Sequence, residues 1–109
     1  MIRRLYADRL QVTDEQLADF CVRWKITELA LFGSALRDDF GPDSYVDMLV
    51  TFDPSADWSL LDHVQMEQEL ASLLGREVHL VSRWAIDRSQ NWIRCREILE
   101  SAQVVYAAR

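Results

Sequence analysis

"LFGSALRDDFGPDSYVDMLVTF", Leu31 to Phe52, holds the most specific pattern in the chain. A hydrophobic run ends at Gly33-Ser34, and a second one, Val46 to Phe52, carries a single aspartate, Asp47. Both runs contain β-branched and aromatic residues, so Ile26–Phe32 and Val46–Phe52 read as strands. Residues i and i+2 of a strand share a face, which places Tyr45 beside Asp47 and turns Val46 and Met48 to the other side. A carboxylate on such a strand costs free energy unless it is paired or binds a metal. The connection between the strands is long for a tight hairpin. Ala35 to Asp38 fits a short helical turn, and Phe40 to Ser44, with Gly41, Pro42 and Asp43, has turn chemistry.

Gly33-Ser34 admits two readings. It is an ordinary turn, or a place where a phosphate approaches the backbone and is held by a hydroxyl and free N–H groups.

Working outward, Thr13-Asp14-Glu15-Gln16 reads as a capping box, with Leu17, Phe20, Cys21 and Trp24 on one face of the helix it opens. Asp53-Pro54-Ser55 ends the second strand. A helix is expected from about Ser59 to Leu74, with Leu60, Val64, Leu70, Leu73 and Leu74 mostly sharing a face and Gly75 as its C-terminal cap. Val78 to Ser82 reads as a third strand. Asn91 to Ala102 reads as a last helix, with Trp92, Cys95, Ile98, Leu99 and Ala102 at helical spacing, followed by a short apolar tail, Val104 to Tyr106. This alternation predicts an α/β (α+β) layer architecture, a small mixed β-sheet with helices packed on it.

The chain has 109 residues, half of them hydrophobic, which predicts one domain over residues 1–109. A net charge of −6 argues against general nucleic-acid affinity and suits a basic protein partner. The two cysteines, Cys21 and Cys95, have no zinc or disulfide spacing, as expected of a reduced, cytoplasmic setting. The first residues lack the apolar core of a signal peptide, and no run approaches the roughly 20 apolar residues that span a bilayer. His63 is expected to face solvent. The four tryptophans, Trp24, Trp58, Trp84 and Trp92, are read as core or interface residues, with Trp58 and Trp84 as candidate partner anchors. The scattered arginines form no nucleic-acid track.

"FGSALRDDFGPDSYVDMLVTF" resembles the signature of the minimal nucleotidyltransferases of the DNA polymerase β-like superfamily: Gly-Ser, an arginine, then Ser-Asp-hydrophobic-Asp-hydrophobic on a strand. Gly33, Ser34, Arg37, Ser44, Val46, Asp47, Met48 and Val50 fit it. "REVHLVSRWAI" is similar to the third strand of that family, and "IRCREILESAQVVYA" to the C-terminal helix and tail of its small bacterial members. The resemblance runs over roughly residues 13 to 107 and is nearest to the MNT-type (MntA-like) antitoxins encoded beside HEPN-domain ribonuclease toxins. It implies ATP and Mg²⁺ as cofactors, AMP transfer to a tyrosine of the toxin, and a HEPN-domain toxin as partner in a hetero-oligomer, with no direct contact to nucleic acid or membrane. It implies nucleotide contacts at Gly33, Ser34, Arg37 and Ser44, a metal ligand at Asp47, and catalytic positions at 45, 47 and 79.

Two of those positions depart from the family. Tyr45 stands where the first aspartate of the strand pair belongs, and His79 where the third-strand aspartate belongs. Asp38 also replaces the glycine that often follows the motif arginine. Mg²⁺ prefers hard oxygen ligands in octahedral geometry, and imidazole suits softer metals. The expectation is an impaired metal site, so that any neutralisation of the toxin proceeds by binding. The alternatives are an active adenylyltransferase in which His79 takes the proton of the attacking hydroxyl, and a non-catalytic nucleotide-binding module. Asp38, Asp39 and Asp43 are read as a solvated acidic loop, the alternative being that they supply replacement metal ligands.

Overall fold

The computed structural model describes residues 12–33 and 45–108, except for the side chain of Trp92. Ser34, Arg37 and Ser44, the turn expected at Ala35–Asp38, the Phe40–Ser44 turn and the acidic loop lie outside the described residues, as does the packing expected of Trp92.

Helix α1 (Asp14–Arg23) begins at the expected capping box. Thr13 Oγ1 accepts from the Gln16 N–H and Gln16 Oε1 from the Thr13 N–H, each at 3.0 Å. Strands β1 (Ile26–Phe32) and β2 (Val46–Phe52) pair antiparallel. Helix α2 (Leu60–Leu74) then crosses over to β3 (Val78–Ser82), which lies parallel to β2. A one-turn helix α3 (Arg83–Asp87) and helix α4 (Trp92–Ser101) lead to β4 (Gln103–Ala107), which pairs antiparallel with β1. The sheet order is β3-β2-β1-β4, a mixed four-stranded sheet.

Side-chain alternation divides the sheet into two faces. Leu29, Leu31, Val46, Met48, Val50, Val78, Leu80 and Val105 pack with Leu17, Phe20 and Cys21 of α1 and Met66, Leu70 and Leu74 of α2. Ala30, Phe32 and Leu49, joined by Val81 and Val104, face Ile86 of α3 and Cys95 and Ile98 of α4. Asp47 and His79 belong to this second face by the same alternation.

Four expectations need correction. The apolar tail is a strand, because Val104 and Tyr106 pair with Ala30 and Leu29. Helix α3 was not foreseen, since five residues are too few to show a period. Leu60 and Val64 do not face the core: Leu60 is 79% exposed, and the inward row is Met66, Leu70 and Leu74. His63 does not face solvent. It is half-buried, with its Nε2 2.9 Å from the Leu80 carbonyl oxygen, while Glu67 Oε2 accepts from the Leu80 N–H at 2.8 Å. These two side chains satisfy the outward backbone groups of β3 at Leu80, which blunts an edge that would otherwise be open to strand pairing. Gly75 caps α2 as expected, at φ +69 in the left-handed region.

Candidate functional site

Strand pairing alone brings the three expected catalytic positions together. Asp47 is the cross-strand partner of Phe32 on β1 and of His79 on β3. Tyr45 lies just before β2, and its ring stacks on the His79 imidazole with centroids 4.7 Å apart and planes at 26°. His79 Nδ1 stands 3.8 Å from Asp47 Oδ1, and His79 Nε2 stands 3.4 Å from Glu77 Oε1. These are ion pairs when the imidazole is protonated. The Asp47 side chain is 18% exposed and that of His79 48%, so the carboxylate sits beneath the imidazole at the rim of the sheet.

Gly33 completes the arrangement. It follows β1 at φ +63, where L side chains are strained. A Cβ built there would lie 2.6 Å from Asp47 Oδ2. The missing side chain at residue 33 therefore makes room for the Asp47 carboxylate.

Among the described residues the three expected catalytic positions supply one carboxylate, one imidazole and one phenol, with Glu77 beside the imidazole. Mg²⁺ requires near-octahedral hard oxygen ligands, and a stacked phenol and imidazole supply none of the charge that two further carboxylates would. Among the described residues no group of three or more His, Cys, Asp or Glu side chains is placed to hold a metal ion. The described residues do not fit Mg²⁺.

Glu77 was missed in the sequence, although the Glu77-Val78-His79 spacing puts Glu77 on the face of His79. Neither cysteine belongs to the site. Both are buried, and burial pushes the Cys21 thiol up to about 12, which keeps it protonated. No helix among the described residues is long and apolar enough to cross a membrane.

Comparison with known proteins agrees with this architecture. The model of the nucleotidyltransferase domain family matches residues 14–105. A protein adenylyltransferase MntA of Thermococcus cleftensis is 39% identical over 61 residues, a stretch that spans 56% of this chain and 60% of that protein. A solved structure assigned as a minimal nucleotidyltransferase superposes with a TM-score of 0.62 at 29% identity, covering 91% of this chain and 90% of that one. A toxin–antitoxin crystal structure with AMP-PNP superposes with a TM-score of 0.67 at 17% identity, covering 90% of this chain and 76% of that one. An MNT antitoxin in complex with a tri-AMPylated HEPN toxin from Shewanella oneidensis superposes with a TM-score of 0.58 at 18% identity, covering 87% of this chain and 70% of that one. The last two likenesses are of fold. With its mixed sheet, its Gly33–Asp47 contact and a family match over most of its length, the chain belongs to the nucleotidyltransferase domain family.

Proposed function

We propose that this chain is an MNT-type antitoxin that neutralises a HEPN-domain ribonuclease toxin by binding it, with AMP transfer impaired. The observation that carries this reading is the Tyr45–His79 stack beside Asp47, at positions where the family resemblance expects aspartates. A tyrosine and a histidine there leave one carboxylate where a triphosphate with its cations would need several. The similarity to an MntA adenylyltransferase and the fold shared with MNT–HEPN complexes support the partner class. The ATP and Mg²⁺ implied by the resemblance are then not required for neutralisation.

The test is RNA cleavage by the HEPN-domain protein that this reading expects to be encoded beside the chain, with the chain added in a nucleotide-free buffer containing chelator. Stoichiometric inhibition is expected. Inhibition that requires ATP and Mg²⁺ would overturn the binding reading.

A second reading has one observation in its favour. His79 Nδ1 is 3.8 Å from Asp47 Oδ1, longer than a hydrogen bond but near enough for the carboxylate to attract a protonated imidazole, the form a general base takes after accepting a proton. On that reading the chain transfers AMP with Asp47 and His79. Transfer that survives Asp47→Asn rules that assignment out.

A further inference from the structure

At the end of β2 remote from Asp47 lies a second concave site. Phe52 is five positions beyond Asp47, about 16 Å along a strand. There a cleft of about 680 Å³ opens between the 53–59 connection, the start of α2 and helix α3. This is within the size range of ligand-binding clefts. Trp58 and Trp84 are among its walls, and Asp53, Asp57 and Asp87 contribute three carboxylates. Among the described residues Arg83 is the one Lys or Arg side chain that lines it, and Arg83 is already paired with Asp87 at 3.3 Å.

The chemistry of this cleft selects for a cation. The Ser55 N–H donates to Asp53 Oδ1 at 2.8 Å and holds that carboxyl below its usual range, which keeps it charged. Trp84 is 65% exposed and already carries a guanidinium: Arg88, which does not line the cleft, lies 4.3 Å from the centroid of its ring. Trp58 is fixed in place by its indole N–H, which donates to the Trp24 carbonyl at 2.8 Å, and by an edge-on contact with the Trp24 ring. A rigid indole loses little conformational freedom on binding. Immediately after Ser59, which also lines the cleft, Leu60 and Leu61 are exposed on the first turn of α2. An acidic cleft with aromatic walls thus adjoins an uncovered apolar helix turn, on a chain of net charge −6.

We propose, on the reading that the partner is a HEPN-domain protein, that this cleft and the first turn of α2 form a docking surface for a basic, apolar-flanked segment of that partner. A Lys or Arg side chain enters the cleft lined by Trp58 and Trp84, and apolar neighbours cover Leu60 and Leu61. Charge complementarity selects the segment, and the carboxylates steer its approach. The surface is separate from the Asp47 site and lies at the other end of β2.

The test is calorimetric titration of the full chain with the HEPN-domain protein that the proposed function expects to be encoded beside it, at low and at high salt. Two variants carry it, Trp84→Ala and Asp57→Asn, both at exposed positions and both checked by circular dichroism. Trp84→Ala is expected to weaken binding by about tenfold or more. Asp57→Asn is expected to weaken it severalfold at low salt, with the difference shrinking at high salt. If the unmodified chain binds and both variants bind within about twofold of it, the docking surface is wrong while the partner stands. If the unmodified chain does not bind at all, the HEPN reading falls and takes this surface with it.

Discussion

The Asp47 carboxylate occupies the space that a side chain at Gly33 would fill: Asp47 Oδ2 lies 2.6 Å from where a Cβ on Gly33 would sit. The glycine of the motif and the aspartate of the motif are therefore one structural unit. Two costs meet at residue 33, a left-handed backbone and a blocked Cβ.

These costs separate in a double-mutant cycle. Gly33→Ala is expected to destabilise the fold by about 2–4 kcal/mol, the sum of backbone strain and overpacking. In an Asp47→Ala background the same change is expected to cost only about 1 kcal/mol, because only the backbone strain remains. Urea denaturation midpoints measure both. Equal costs in the two backgrounds would show that the carboxylate does not press on residue 33.

Helix α2 has leucines in opposite environments. Leu70 is fully buried in the core with α1 and the sheet, whereas Leu61 is 81% exposed. Leu70→Ala is expected to cost about 2–5 kcal/mol, from lost transfer free energy and a cavity. Leu61→Ala is expected to stay within about 0.5 kcal/mol. A large loss at Leu61 in the isolated chain would mean that the helix packs by another face.

Glu69 ties α2 to α1. Its Oε2 accepts from Arg23 Nη2, and its Oε1 from the Trp24 indole N–H at 3.2 Å. The Arg23 hydrogen bond is the chief cause holding the Glu69 carboxyl below its ordinary value, against the opposing effect of burial. Since the folded-state pKa is the lower one, the contribution to stability is present above the unfolded value, 4.5, and is lost as the pH falls through the folded value. Chemical denaturation between about pH 6 and about pH 3 is expected to show a shallower fall for Glu69→Gln than for the unmodified chain. Parallel slopes would remove Glu69 from the acid response.

Strand periodicity made the pairing of positions 45 and 47 legible in the sequence, whereas position 79 came only through the family resemblance. Tyr45 and Asp47 share a face by the period of two, and His79 joins them through the β2–β3 register. The capping residues Thr13 and Gly75 marked helix ends because each satisfies local backbone groups. What was not legible depends on distant contacts. Val104 reads as a tail until it finds Ala30, more than seventy residues earlier. The period of α2 shows apolar residues on more than one arc and does not say which arc turns inward. Met66, Leu70 and Leu74 do so, while His63 and Glu67 on the neighbouring arc reach the edge of β3. The cleft beside Trp58 and Trp84 is likewise assembled from three separated segments, and no local pattern announces it.

The central proposal, that Tyr45 and His79 disable AMP transfer on an otherwise competent scaffold, is tested most directly by the intact mass of the HEPN-domain protein that the proposed function expects beside this chain. It is measured after incubation with ATP, Mg²⁺ and either the unmodified chain or the Tyr45→Asp, His79→Asp double variant. The account predicts that the double variant adds AMP and that the unmodified chain adds none, although both bind the partner. AMP added efficiently by the unmodified chain would contradict it and would assign Asp47 and His79 a catalytic role.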